Sequence, residues 1–213
     1  MPRNDDRGSL RPLHRRSFVR AAMAAVAVLV ARKARAEAGQ RAGAVELVKG
    51  EAFAEASAAR RTLDRDAPVF IGDHCGTGPD SRLVMQLGGT TRVNLGEKAR
   101  ITIDRYLMDM GGEFTLQSGP MLFDRAAGTK PSPVHIRSSF GLIAVRGTRF
   151  FAGPSNGVFG VFVERGTVSV AAGGRRVTLR SGEGTDIRRP GAAPTPPKRW
   201  GDGRIREALA SVS

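Results

Sequence analysis

Between Val45 and Ile187 apolar and polar side chains alternate in short runs, and most runs close on a glycine-containing turn. Successive side chains of an extended strand point to opposite faces, so a period of two marks half-buried strands. Arg82 to Leu87 and Thr90 to Leu95 flank Gly88-Gly89, which reads as a hairpin with a two-residue glycine turn. The same idiom returns in Val158 to Glu164, Thr167 to Val170, Gly173-Gly174, Arg175 to Leu179 and Glu183 to Ile187. Turn signals about every 8–12 residues predict a mainly β, single-domain sandwich, barrel or coil and argue against a βαβ fold. The alanines of residues 50–61 favour a helix by propensity. That stretch lies between strand-like Val45 to Val48 and Val69 to Ile71, however, and is read as strand-rich. Arg92, Arg100 and Arg105 fall where a half-buried sheet shows its solvated face.

The 213 residues include 34 basic and 20 acidic side chains, a formal charge of +14. Such an excess invites a nucleic-acid reading, but its distribution argues against one. Residues 1–36 carry nine basic and two acidic groups, leaving 25 basic and 18 acidic groups for the remaining 177 residues. A basic stretch ending at Arg20 precedes the apolar run Ala21 to Ala31. Eleven residues are too few to span a bilayer core but suit the helical apolar region of a signal peptide. Arg15-Arg16-Ser17-Phe18-Val19 resembles a twin-arginine export signal, with Arg15, Arg16 and Phe18 as its key positions. An ordinary secretory signal is the alternative. Ala34 and Ala36 supply the small residues of a peptidase site, with Ala36-Glu37-Ala38 as runner-up. The expectation is a periplasmic mature protein without a transmembrane span. Residues 189–213 open on a proline-rich linker and continue into a short tail with a loosely attached helix near Arg204 to Leu209.

In residues 43–188 a string of motifs in order resembles the FecR domain family, a periplasmic module of bacterial signalling regulators. Val45 to Ala52 looks like its opening strand and turn, and Pro68 to Asp73 like its apolar strand and Gly72-Asp73 turn. Ser138 to Phe150, with Arg146-Gly147-Thr148, is similar to its Arg-Gly-Thr-x-Phe strand. Val161 to Val170, around Gly166, resembles its long hairpin, and Gly182-Glu183 its closing turn. The resemblance implies a β-solenoid-like or sandwich-like domain that binds a partner and relays a signal without catalysis. The expected partner is an envelope or inner-membrane signalling protein, with no cofactor, no metal and no nucleic acid. A structural module binding an anionic cell-wall glycan is the alternative function, and a small hydrolase a third. For Gly72, Asp73, Gly147, Thr148, Gly166, Gly182 and Glu183, as for Arg146, architectural roles are expected.

The residues themselves offer little chemistry. His74 and Cys75 are neighbours on a strand and point to opposite faces, so they make a poor nucleophile pair. His135 is the only other histidine after the signal, and Asp104, Asp109 and Glu113 read as solvated acids. Phe150 and Phe162 share parity with core positions; Phe151 and Phe159 are expected to face outward as a contact patch.

Overall fold

The alternating runs become strands in a computed structural model, which describes residues 39–56, 59–107, 111–129, 132–145 and 147–213. The twin-arginine pair, Phe18, Ala34 and Ala36 lie outside the described residues, as do Asp109 and Arg146. In chain order the strands are β1 (Arg41–Lys49), β2 (Ala52–Ala56), β3 (Ala59–Thr62), β4 (Pro68–Phe70), β5 (His74–Thr77) and β6 (Arg82–Leu87). They continue with β7 (Thr91–Leu95), β8 (Arg100–Leu107), β9 (Gly111–Ser118), β10 (Met121–Arg125), β11 (Val134–Ser138) and β12 (Gly141–Val145). The last are β13 (Arg149–Ser155), β14 (Val158–Arg165), β15 (Thr167–Ala172), β16 (Arg175–Arg180), β17 (Glu183–Ile187) and β18 (Lys198–Arg199), before helix α1 (Asp202–Ala210).

The chain passes back and forth between two nine-stranded sheets. The first runs β18-β17-β14-β13-β10-β7-β6-β1-β4 and the second β16-β15-β12-β11-β9-β8-β5-β2-β3. Neighbours are antiparallel except β9 and β11, which pair in parallel. Inward side chains of both sheets share one core, in which Met85, Val93, Phe123 and Phe150 meet Ile101, Phe114, Ile136 and Ile143. Phe114 and Phe123 touch edge to face across it, with centroids 6.1 Å apart. Each such ring contributes about 1.5–3 kcal/mol by leaving water. The buried Tyr106 hydroxyl on β8 crosses the core to the Leu87 carbonyl (3.1 Å) and Thr91 Oγ1 (2.9 Å), tying the second sheet to the first.

Within the alanine-rich stretch, β2 and β3 pair antiparallel, Ala54 opposite Arg61 and Glu55 opposite Arg60, so it is strand and not helix. The β6–β7 hairpin also forms, but Leu87 pairs with Thr91, so its loop is three residues long and not two. The Gly173-Gly174 turn does have two residues, because Ala172 pairs with Arg175.

Two expectations on β14 are reversed. Phe159, Val161 and Val163 point into the shared core, whereas Phe162 lies on the outer face of the first sheet. Phe151, its cross-strand partner, shares that face. Phe151 is nonetheless fully buried and so is no open contact patch. The cover is the C-terminal tail, which is not loosely attached. Trp200 stacks on Phe162 (centroids 5.2 Å, 22° between planes) and meets Phe151 edge-on. Its seat exists because Gly160 and Gly184 lack side chains: a Cβ would lie 2.8 Å from Trp200 Cη2 at the first and 2.2 Å from Nε1 at the second. The Arg204 guanidinium sits 3.6 Å over the indole and donates to Asp186 Oδ1 (2.7 Å) and Ser155 Oγ (2.9 Å). Ala208 and Val212 complete the cover over Leu122. The proline-rich stretch is held too, since Thr195 N–H donates to the Asp186 carbonyl and the Thr195 carbonyl accepts from Thr185 Oγ1. Among the described residues no helix is long and apolar enough to cross a membrane.

Candidate functional site

Residues from both sheets line a cleft of about 220 Å³. β9 supplies Leu116, Gln117 and Ser118, the β11–β12 turn supplies Ser138 and Phe140, and the β13–β14 hairpin supplies Pro154 and Phe159. Phe140 is a bulky ring at a turn tip. Ser138 Oγ holds the turn by accepting from Phe140 N–H (3.2 Å) and donating to the Gly141 carbonyl (3.3 Å). The ring thereby lies parallel on Phe159, with centroids 4.5 Å apart and 7° between planes. Phe159 is turned into the cleft and only 7% exposed, while Phe140 is half-buried.

The lining of this cleft is mainly apolar and carries no acid, base or thiol. Both serine hydroxyls are spent on carbonyls, Ser138 as above and Ser118 on Lys98 (3.1 Å). Typical small-molecule pockets reach about 300–1,000 Å³, so this one suits a single side chain or a short apolar group.

A second, polar depression of about 170 Å³ lies on the outer face of the second sheet, among Glu55, His74, Cys75, Arg100 and Gln117. Gln117 donates to Thr102 Oγ1 (2.5 Å), which lies 2.7 Å from His74 Nδ1. The Cys75 thiol points the other way, into the core. Burial, then the charge of Asp73, pushes its pKa up to about 12, so it stays protonated. His135 lies on β11, opposite Glu113 and Ala144, with β8 and β9 between it and Cys75. Glu113 is engaged by Arg105 (3.0 Å) and Arg137 (3.6 Å), and Asp104 accepts from Thr115 Oγ1 (2.7 Å). Among the described residues no three His, Cys, Asp or Glu side chains gather as metal ligands would.

The motif residues sit elsewhere. The buried Asp73 carboxylate closes its turn by accepting from Phe70 N–H (2.8 Å) and pairs with Arg61. Gly72 precedes it in a left-handed conformation. Gly147, at φ +64°, leads into the buried Thr148, and Gly166 packs so closely that a Cβ there would lie 2.6 Å from Thr148 Cγ2. Gly182 N–H donates to the Val163 carbonyl (2.8 Å), and Glu183 accepts from Arg180 N–H (2.8 Å). Beside Thr148 lies a network not foreseen from sequence. Asp124 accepts from Arg149 (2.7 Å) and Arg165 (2.9 Å), and Arg149 also donates to Glu164 (2.8 Å). Partial burial opposes the Arg149 charge, but hydrogen bonds to Glu164 and Asp124 prevail and raise its pKa above the usual value. Phe140 was legible in principle as an aromatic beside a glycine in a turn. The Trp200 seat was not, because nothing local links residue 200 to glycines 160 and 184.

Every residue of the cleft falls between 116 and 159. Residues 73–169 match the model of the FecR protein family. The FecR match thus spans the cleft, Asp73 and the Gly147, Thr148 and Gly166 contacts, and stops short of β16 and the tail. Two crystal structures of a candidate anti-sigma factor from Parabacteroides distasonis, at 1.65 Å and 2.50 Å, share the fold. Their TM-scores are 0.54 and 0.53, each at 14% identity over 64% of this chain. The chain spans 64% and 63% of their respective lengths. No curated protein matches the chain.

Proposed function

We propose that the chain is a non-catalytic, periplasmic FecR-like module that binds a protein or ligand in envelope signal transduction. The observation that carries this reading is the apolar cleft with its Phe140–Phe159 stack, built wholly within the segment that the FecR model matches. A protonated, buried thiol and serine hydroxyls committed to carbonyls favour recognition over turnover. The fold shared with a candidate anti-sigma factor agrees with a place in signalling. A second reading, binding to an anionic cell-wall glycan, draws on Arg60, Arg100, Arg105 and Arg137, all at least half-exposed on the second sheet.

One experiment separates the two. A photo-crosslinking residue replaces Ser139, beside the cleft, in the exported protein. The expected adduct is with an envelope signalling protein, and Phe140→Ala, which removes half the stack, abolishes it. Adducts with muropeptides alone, or an adduct indifferent to Phe140→Ala, overturn the signalling assignment of the cleft.

A further inference from the structure

Strand β16 forms one edge of the second sheet, and its hydrogen-bonding pattern follows from its register. The two-residue turn makes Ala172 and Arg175 the closing pair, which in such hairpins exchanges both backbone bonds. Bonded and non-bonded pairs alternate from there, so Val177 and Leu179 bond to Val170 and Val168. Arg176, Thr178 and Arg180 then turn their N–H and C=O groups away from the sheet. The structure bears this out at Arg180, whose N–H donates to the Glu183 carboxylate. On the same residues the side chains of Arg176, Thr178 and Arg180 are exposed, while Val177 and Leu179 point into the core.

We propose that this edge is a strand-addition site for an extended acidic peptide segment, paired with Arg176 and Thr178. An unpaired edge is a template for another strand, and its flanking charge selects which one. Carboxylates at alternate positions of the incoming strand share the face of Arg176 and Arg180. A second copy of this chain is disfavoured, because antiparallel β16–β16 pairing sets arginine against arginine. Glu183 already occupies the Arg180 N–H with a carboxylate, which fixes where the added strand ends. This site lies outside residues 73–169 and apart from the cleft. The proposal rests on the partner-binding reading and names a partner chemistry for it.

The test uses the purified chain with the peptide acetyl-Glu-Val-Glu-Val-Glu-Val-amide and its Lys-for-Glu counterpart, read by fluorescence anisotropy and amide hydrogen exchange. With free acidic peptide at ten times its Kd, exchange at Arg176 and Thr178 slows about tenfold, while Val177 and Leu179 are unaffected. Thr178→Pro removes the central donor at a position where an edge strand tolerates proline, and binding is lost with the melting temperature retained. The double variant Arg176→Glu/Arg180→Glu switches preference to the Lys peptide, and it decides the matter if the proline variant fails to fold. No protection at Arg176 and Thr178, equal binding of both peptides, or undiminished binding by Thr178→Pro overturns the proposal. Concentration-dependent protection without peptide assigns the edge to a second copy instead. Because Ser139 crosslinking reads the cleft, failure at β16 with that adduct intact leaves the general function standing.

Discussion

Cys75 and His74 show how one residue of offset decides chemistry. On β5 the histidine faces solvent beside Thr102, and the cysteine faces the core. The alternation rule alone separates them, but only packing shows how far the thiol is desolvated. The unfolded chain ionises Cys75 near 9.0, whereas the folded chain holds the proton up to about 12. The native state therefore binds more protons between these values. This contribution to stability is complete below pH 9.0 and is lost as pH rises toward about 12. Urea unfolding at pH 8 and pH 10.5 should show a loss of stability in the native sequence that is smaller in Cys75→Ala. At pH 8 a maleimide should label the thiol only after unfolding. Phe159 and Phe162 mark the limit of parity reasoning. Both are apolar and both are buried, so the pattern shows that each leaves water but not which layer receives it.

At the level of elements, hairpins were the legible part. Gly173-Gly174 carries positive φ at both central residues, the conformation that a two-residue turn of this kind requires. The parallel pairing of β9 with β11 has no such local signature, since β10 departs to the other sheet between them. Nor does the tail. Its composition suggests a linker, yet residues 198–213 cover Leu122, Phe151 and Phe162. Removing residues 198–213 should lower the melting temperature and raise binding of a hydrophobic dye. Trp200 alone is worth about 3–5 kcal/mol by analogy with large-to-small core changes. An unchanged melt with no added dye binding would show that the outer face of the first sheet needs no cover.

For the whole molecule, the +14 charge separates into two equal halves of different kind. The half in residues 1–36 belongs, on the proposed reading, to an export signal. A reporter fused to residues 1–36 should stay inside the cell when Arg15 and Arg16 are both replaced by Lys, and unaltered export would remove the twin-arginine route. The other half is spread over the strands and the terminal helix, where Arg149 and Arg165 share Asp124, Arg61 pairs with Asp73, and Arg204 of α1 holds the tail through Asp186. Many of these arginines thus serve in ion pairs that join elements of the fold, whereas Arg176 stands exposed on the edge strand β16.

By itself the sequence determined that the chain is β-rich, where many of its turns fall, and that its motifs follow a FecR-like order. These are local properties, set by side-chain alternation and by the backbone freedom of glycine. Tertiary structure alone decided that Phe140 stacks on Phe159 to make a cleft, that Trp200 finds its seat between two glycines, and that β16 ends the sheet. Each depends on which distant segments meet. That choice is made by the collective burial of two sheet faces, which no short stretch of sequence encodes.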